Sequence, residues 1–358
     1  VCREAQGDFD GAIEDLHQIL SIEPGNALAS YQRGMILLNR LRMEGDPSHL
    51  DQALADFTTA IENAPEVAAA YFARGEIHRF RENLPEALAD YDKALELDPD
   101  SIATRMSRAS ARLMSGDPQG AVDDCDKAIE QGLEVADVHY TRAMAQDALG
   151  NASQAQADCD AALRLDPEHA RAYNHRGLLN IRAGRLEDAL GDMNAAIEFA
   201  PDWFHPRGNR GALHALMGHH EDAVEDFSEV IRQLTALESS PSSDSGSAWS
   251  ESVPAQPYPI SDLAELLAQT YGNRGMALAE LGRLEAARED VEEAVRLAPL
   301  VPRSYELRGQ FYLRQGDYVK AVEDFTRRLE LEPKPVAEAY LERGQAYLAG
   351  NEAEKALA

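Results

Sequence analysis

Small and apolar residues recur at a constant interval along this chain. The stretch from Ala68 to Asp100 holds two runs of apolar and small residues spaced three or four positions apart, with a polar break near Asn83. Such spacing places these residues on one face of an α-helix, and the break predicts a turn between two helices. Pro99 closes the second run, because proline cannot continue a helix interior. The pattern therefore predicts a helix-turn-helix unit.

Three series of residues recur along the chain in the same register, and outside two insertions most of their intervals are 34 residues or a multiple of 34. The closing prolines are Pro24, Pro65, Pro99, Pro167, Pro201, Pro299 and Pro333. A small residue after an arginine marks the first helix at Gly34, Gly75, Ala109, Ala143, Gly177, Gly211, Gly275, Gly309 and Gly344. The second helix carries Ala12, Ala53, Ala87, Ala121, Ala155, Ala189, Ala223, Ala287, Ala321 and Ala356. Their agreement predicts an all-α stack of about ten repeats.

A unit of this length, with an aromatic residue, a glycine, an alanine, a second aromatic residue and a closing proline, resembles the tetratricopeptide repeat family. The resemblance covers nearly the whole chain. It implies an α-solenoid in which the units stack into a right-handed superhelix, and in which the first helices line a concave groove. It also implies that the protein binds a peptide or another protein in that groove.

Two insertions interrupt the repeat. Seven residues near Leu41–Leu50 predict a longer loop, with Pro47 starting a lengthened second helix. The larger insertion contains SSPSSDSGSAWSESVPAQPYP, a composition that cannot pack a core. We therefore predict an N-terminal repeat block over 1–237 (a partial first repeat and about six full ones), a flexible Ser- and Pro-rich loop over 238–261, and a C-terminal block of about three repeats over 262–358. The sequence begins and ends inside a repeat, so we expect a fragment of a longer protein.

The chain departs from the family pattern in a regular way. Arginine precedes the small residue of every first helix, where the family has leucine, and an aspartate stands in every second helix, 16 residues later in ordinary units. This Arg-Gly and Asp subtype predicts a structural ladder of ion pairs: Arg33–Asp56, Arg74–Asp90, Arg108–Asp124, Arg142–Asp158, Arg176–Asp192, Arg210–Asp226, Arg274–Asp290 and Arg308–Asp324. Partly buried pairs set register more than they add stability. The alternative is an arginine row that binds a partner.

The resemblance also implies which side chains face the groove: the fifth residue of each first helix and the residue one turn later. The apolar members of these two sets, with one polar residue, cluster in the first units: Tyr31, Met35, Phe72, Met106, Tyr140, Met144, Asn174 and Leu178. A stripe of aromatic residues and methionine suits an extended or helical peptide with apolar anchors. The alternative is that these side chains only pack between neighbouring units, since apolar stripes on helices usually form core.

Charge narrows the choice of partner. The net charge of −29, from 34 basic and 63 acidic residues, argues against nucleic acid and anionic membranes, which recruit Lys and Arg. A basic partner, if there is one, would be attracted chiefly by the first 300 residues. The alternative is that the acidity only keeps an elongated protein with much surface soluble. No apolar stretch approaches the ~20 residues of a membrane span and no signal peptide is visible, so we predict no membrane insertion and slightly favour a cytoplasmic location, although the chain begins with Val1.

The sequence offers little for catalysis. The motifs GxSxG, GxxxxGK[ST] and GxGxxG are absent, so we predict neither enzymatic activity nor a cofactor. Cys125 and Cys159 occupy the same place in consecutive repeats and are predicted to be small buried hydrophobic residues. The densest group of histidines is His205, His214, His219 and His220, next to Glu221 and Asp222. Because nothing in this spacing brings three ligands to one point, we predict no metal site.

The sequence thus favours a non-catalytic scaffold or adaptor that binds a peptide or protein on the groove. Two alternatives stay open. The chain could be a regulatory or substrate-recruiting arm of a larger multidomain enzyme, or a structural protein that associates with copies of itself. The partner's identity, the pathway and the oligomeric state are not determined by these patterns, because a repeat fold supports many functions.

Overall fold

The computed structural model describes residues 9–44, 47–239, 260–334 and 337–350, and all regular structure in these ranges is helical. The helices are α1 (Phe9–Ile22), α2 (Ala27–Glu44), α3 (Leu50–Asn63), α4 (Ala68–Phe80), α5 (Leu84–Leu97), α6 (Ile102–Met114), α7 (Pro118–Glu130), α8 (Ala136–Ala148), α9 (Ala152–Leu165), α10 (Ala170–Arg182), α11 (Leu186–Phe199), α12 (Phe204–Met217), α13 (His220–Ser239), α14 (Ile260–Glu280), α15 (Leu284–Leu297), α16 (Pro302–Gln315), α17 (Tyr318–Leu331) and α18 (Ala337–Ala349). The predicted all-α fold of helix-turn-helix repeats is confirmed.

The described residues form two compact units, and the boundary along the chain falls within α10: unit 1 runs to Leu179 and unit 2 starts at Asn180. In unit 1 each helix from α1 to α8 packs against the helix that follows it, and first helices also contact each other, α4 with α6 and α6 with α8. Unit 2 repeats this arrangement, with contacts of α12 with α14 and of α14 with α16. Within each unit, therefore, consecutive first helices share one side.

Local chemistry explains the helix ends. Pro118 starts α7, where its fixed φ suits the first turn and its missing N–H is not needed. The Asp117 side chain accepts a hydrogen bond from the Gly120 N–H at 2.9 Å, which caps the same helix. Several turns between paired helices close with glycine at positive φ, among them Gly218 at +80°. The residues that end and cap the helices thus define the same helix-turn-helix units as the spacing of apolar residues.

The core of each unit is built around the residue that follows the ladder aspartate. In unit 1 this residue is fully buried at Phe57, Tyr91, Cys125 and Cys159, and in unit 2 at Met193, Val291 and Phe325. Gly75 allows the paired helix to approach, because a Cβ there would lie 2.8 Å from a ring carbon of Tyr91. At this point the paired helices therefore touch through the large Tyr91 side chain of one helix and the bare Gly75 backbone of the other.

The shorter insertion does not lengthen the second helix of its repeat, contrary to the prediction from the sequence. It lengthens the first helix, because α2 has 18 residues and α4 has 13. Pro47 begins a short 3-10 turn, Pro47–His49, and α3 then has 14 residues, as many as α5. Residues 240–259, which make up most of the predicted Ser- and Pro-rich loop, lie outside the described residues. The division into blocks at that loop stays a prediction.

None of the helices in the described ranges combines the length and the apolar character needed to cross a bilayer.

Candidate functional site: ion pairs and the first-helix row

The structure brings four of the predicted Arg and Asp pairs of unit 1 into direct contact. In each pair the arginine Nε donates to one aspartate oxygen and Nη2 donates to the other. The Nη2 to Oδ1 distances are 2.7 Å for Arg33–Asp56, 2.7 Å for Arg74–Asp90, 2.5 Å for Arg108–Asp124 and 2.6 Å for Arg142–Asp158. Two parallel hydrogen bonds of this kind are strong and fix the orientation of both groups.

Unit 2 contains three pairs with the same geometry. Their Nη2 to Oδ1 distances are 2.6 Å for Arg210–Asp226, 2.8 Å for Arg274–Asp290 and 2.7 Å for Arg308–Asp324. Arg176 lies in unit 1 and Asp192 in unit 2. Within its own unit, Arg176 donates to Asp160 at 2.8 Å, and Asp192 accepts from Asn180 at 2.8 Å.

The aspartates of these pairs are buried and the arginines are only partly exposed. The Asp124 side chain is 1% exposed, and Arg108, which pairs with it, is 13% exposed. The hydrogen bond to Asp56 raises the pKa of Arg33, and the bond to Asp290 raises the pKa of Arg274. The guanidinium of each pair is therefore held by its aspartate, and little of its surface is left for a partner to contact.

Six of the ladder arginines also reach the second helix of the preceding repeat, a contact that the sequence pattern did not predict. In each of them the remaining nitrogen, Nη1, points to the residue that stands two positions after the aspartate of the preceding repeat. The acceptors are Thr58 for Arg74, Asp92 for Arg108, Asp126 for Arg142, Asp160 for Arg176, Asn194 for Arg210 and Ser228 for Arg274. That position is polar in every one of these repeats, a signal that was available in the sequence. One guanidinium therefore joins consecutive repeats.

The proposed groove residues of unit 1 lie on the first helices, two positions before or after the ladder arginine. Tyr31, Phe72, Met106 and Tyr140 are all half-buried. Their inner parts pack where consecutive repeats meet: Tyr31 and Phe72 contact the cluster that contains Tyr71, and Met106 contacts the cluster that contains Val138. We call Tyr31, Met35, Phe72, Met106, Tyr140 and Met144 the first-helix row. Each half-buried member of the row has an inner part in the core and an outer part on the surface.

Individual members of the row differ in exposure. Met144 is 38% exposed, whereas Met35 is half-buried against the cluster that contains Phe57. Tyr140 is flanked by two other side chains: the Arg171 guanidinium lies 5.3 Å from its ring centre and the centre of the His169 ring lies 5.2 Å away. Burial raises the pKa of Tyr140 to about 12. Asn174 and Leu178 follow on α10 and are half-buried as well.

A half-buried carboxylate interrupts the row at Glu76. The Tyr91 hydroxyl donates to it at 2.5 Å and Arg79 Nη2 donates at 2.9 Å. Although burial acts to raise the pKa of Glu76, the Arg79 charge and these hydrogen bonds lower it overall. The polar group is therefore satisfied within the unit, and the surface here consists of Phe72 and Met106 around a neutralised ion pair.

The equivalent positions in unit 2 carry mostly other chemistry. Two positions after the ladder arginines stand Ala212, Met276, Gln310 and Gln345. Two positions before them stand Gly208, Gly272, Glu306 and Leu341. Glu306 is 8% exposed and lies 3.3 Å from the buried Arg328. Leu341 is the apolar member of this second set, and it is 61% exposed. Unit 2 therefore has no continuous aromatic and methionine stripe at these positions among its described residues.

The cysteines and histidines complete the candidate chemistry. Cys125 and Cys159 are fully buried, and burial raises the pKa of Cys125 to about 12, so its thiol is protonated near neutral pH. The histidines require a correction, because the structure does bring three potential ligands together. Ligand atoms of His214, His219 and Asp222 lie within 4.8 Å of one another. The turn between α12 and α13 folds residues from both helices onto one point, which linear spacing does not reveal.

Comparison with known families gives two matches. The profile described as tetratricopeptide repeat matches residues 48–102, 81–132, 140–202 and 273–335, together more than half of the chain. The profile described as anaphase-promoting complex subunit 5 matches residues 3–70 and 208–241. No curated protein matches the chain.

Solved structures share the fold. A tetratricopeptide repeat protein from Parabacteroides merdae ATCC 43184 is 17% identical, over 78% of this chain and 98% of that chain, with a TM-score of 0.54. A chain of the APC/C hetero-tetramer Cut9-Hcn1 is 14% identical, over 99% of this chain and 60% of that chain, with a TM-score of 0.57. Pseudomonas aeruginosa pilF is 16% identical, over 69% of this chain and 98% of that chain, with a TM-score of 0.52. At these identities the likeness concerns the fold alone.

Proposed function

Because the chain belongs to the tetratricopeptide repeat family, we propose that it is a non-catalytic scaffold whose first-helix row in unit 1 binds a peptide segment of another protein. The observation that carries this proposal is the half-buried state of the row. Side chains needed only for the core would be fully covered, as Phe57 and Tyr91 are. Tyr31, Phe72, Met106 and Tyr140 are not.

A half-buried row suits recognition for an energetic reason. The inner part of each side chain is held by the core, so little rotamer entropy is lost when a ligand covers the outer part. Aromatic rings and methionine offer large apolar contact areas, and methionine adapts to different ligand shapes. The row therefore favours a peptide whose apolar anchors are spaced to reach consecutive repeats.

The acidic charge of unit 1 indicates which other residues the peptide should contain. Residues 1–179 hold 16 Lys and Arg against 32 Asp and Glu, so unit 1 is strongly acidic. The ladder arginines are neutralised by their aspartates, which leaves the excess negative charge at other positions. We infer that the preferred peptide carries Lys or Arg beside its apolar anchors, and that salt slows its association.

The experiment is a selection from a random peptide library on the full chain, followed by Kd measurements on the selected peptides. Three variants are compared: Phe72→Ser and Met144→Ser in the row, and Leu341→Ser as the matched control in unit 2. Leu341 is apolar, more exposed than either, and stands at the same repeat position as Phe72. We expect each row variant to weaken binding by about tenfold or more, because truncated anchors lose buried contacts. Leu341→Ser should bind like the wild type.

Met144→Ser protects the test against misfolding, since this side chain is already 38% exposed and its removal leaves little cavity. Circular dichroism confirms that each variant is folded. The proposal fails if folded Phe72→Ser and Met144→Ser bind as tightly as the wild type. It also fails if Leu341→Ser weakens binding as much as they do.

A further inference from the structure

We propose that His214, His219 and Asp222 form a binding site for a transition-metal ion of the zinc class, at the turn between α12 and α13. This site is independent of the peptide surface proposed above, since the row lies in unit 1 and these residues lie in unit 2. The side chains of the trio supply two imidazole nitrogens and one carboxylate oxygen, all within 4.8 Å of one another.

The backbone of the turn holds the three residues in place. His214 is in the last turn of α12, and Gly218 ends that helix with a φ of +80°. The His219 N–H donates to the His214 carbonyl at 2.8 Å, which closes the turn. Asp222 follows His219 by three residues, so both side chains lie on the same face at the start of α13. The two imidazole ring centres are 5.8 Å apart, and His214 Nδ1 is 4.0 Å from Asp222 Oδ2.

The other repeats show that this convergence is a property of the fold. His214 stands four residues after its ladder arginine, and His219 stands nine after it. The same two positions are occupied by Gln146 and Asn151 in one repeat, where the side chains are joined by a hydrogen bond of 2.8 Å. In the next repeat they are Asn180 and Arg185, joined at 2.9 Å. These positions therefore face each other across the turn.

In the α12–α13 turn the hydrogen-bonded pair is replaced by two imidazoles. His214 Nδ1 is buried and has no hydrogen-bond partner among the described residues, and the same is true of His78 Nδ1 in the α4–α5 repeat. Only at His214 do a second imidazole and a carboxylate lie beside the ring, among the described residues. A buried nitrogen of this kind costs free energy unless something satisfies it. A metal ion bound by both rings would do so, and the nearby Asp222 would supply the negative charge that a divalent cation needs.

The donor set matches zinc. Zinc takes histidine nitrogen and aspartate oxygen at about 2.0–2.2 Å in tetrahedral sites, and three protein ligands leave the fourth position for water. His219 and Asp222 are exposed, so their side chains can rotate through the short distance that separates the present arrangement from such a site. Glu221 lies beside them in the sequence and adds to the negative potential. Carboxylate and imidazole together select Zn²⁺ over Mg²⁺ or Ca²⁺, which prefer oxygen alone.

The chain contains its own comparison. His78 occupies the position of His214 in the α4–α5 repeat, where Asn83 stands in place of His219 and Glu86 in place of Asp222. That turn offers one imidazole and one carboxylate, and its ligand atoms do not form a group of three. We expect it to bind zinc weakly, so it serves as the matched control.

The experiment measures Zn²⁺ binding to the full chain by isothermal titration calorimetry after removal of metal with a chelator. The test variant is the double substitution His214→Gln with His219→Asn, which installs the hydrogen-bonded pair of Gln146 and Asn151 and so preserves the turn. We expect the wild type to bind one Zn²⁺ per chain at this turn, and the double variant to bind it at least tenfold more weakly. Asp222→Asn should weaken binding by about tenfold, since one charged ligand becomes a poor donor.

His78→Gln should leave zinc binding unchanged. Co²⁺ added in place of Zn²⁺ should give visible absorption bands in the wild type that disappear in the double variant. The proposal is overturned if the wild type binds no zinc, if the folded double variant binds Zn²⁺ as the wild type does, or if His78→Gln removes the binding. Each of these results leaves the peptide-binding proposal untouched, because Phe72 and Met144 take no part.

Discussion

Units 1 and 2 contain the same internal ion pairs but present different surfaces. Arg108–Asp124 in unit 1 and Arg274–Asp290 in unit 2 have the same paired hydrogen bonds. Two positions before these arginines, however, unit 1 has Met106 and unit 2 has Gly272. Positions that hold the repeat together are thus kept, while the neighbouring first-helix positions vary. This contrast separates the residues that build the repeat from those that give one unit its binding surface.

The contrast has a physical basis. A bidentate pair between two helices requires an arginine and an aspartate at fixed places, since a lone buried charge would be strongly destabilising. The first-helix row has no such requirement. An apolar side chain at the surface between two repeats can be large, or can be missing as in glycine, without leaving a buried polar group unsatisfied. Glycine at Gly208 and an aromatic ring at Phe72 are therefore both compatible with the same backbone.

The largest effect is expected when the shared ion pair is broken. Asp124→Ala removes a carboxylate that accepts from Arg108 and, at 2.8 Å, from Arg112, with Arg105 also 3.8 Å away. Leaving these charges unpaired should lower the free energy of unfolding by about 3–5 kcal/mol. Asp290→Ala in unit 2, which removes the acceptor of Arg274, should cost less. Urea denaturation measures both, and equal losses would show that the two pairs are equivalent.

A smaller loss is expected at the helix contact that both units share. Gly75→Ala places a Cβ 2.8 Å from a Tyr91 ring carbon, and Gly275→Ala places one 2.8 Å from Val291. Overpacking of this kind should lower stability by about 1–3 kcal/mol in each case. Thermal unfolding followed by circular dichroism provides the measurement. A variant as stable as the wild type would mean that the paired helices separate without cost.

The smallest effect, with the opposite sign, is expected at a position where the units differ. Gly208 lies in α12, and a Cβ there would meet no atom within 4 Å. Gly208→Ala should therefore raise the free energy of unfolding by about 0.5–1 kcal/mol, because alanine loses less backbone entropy in a helix. Urea denaturation of Gly208→Ala and Gly75→Ala in one series measures both changes, which we expect to have opposite signs. A destabilised Gly208→Ala would indicate that this position is packed after all.

Much of the fold was predictable because its signals are local and repeated. Each signal describes one helix pair: the interval from Pro65 to Pro99 gives its length, and Gly75 marks where its two helices approach. Because the same signals recur in most repeats, they are less ambiguous than a single motif. The candidate site was predictable in part. The repeat register predicts the pair Arg33–Asp56, but it does not predict the contact from Arg108 to Asp92 in the preceding repeat. That contact depends on how repeats are stacked.

The sequence alone determined the helix-turn-helix period, the positions of the paired charges and the excess of negative charge, because each follows from residue type and spacing along one chain. Only the tertiary structure decided how much of each side chain is left at the surface. It covered Tyr140 with Arg171 and His169, left Met144 exposed, and brought His214, His219 and Asp222 together across a turn. The reason is that burial and proximity depend on neighbours from other helices, which spacing along the chain does not specify.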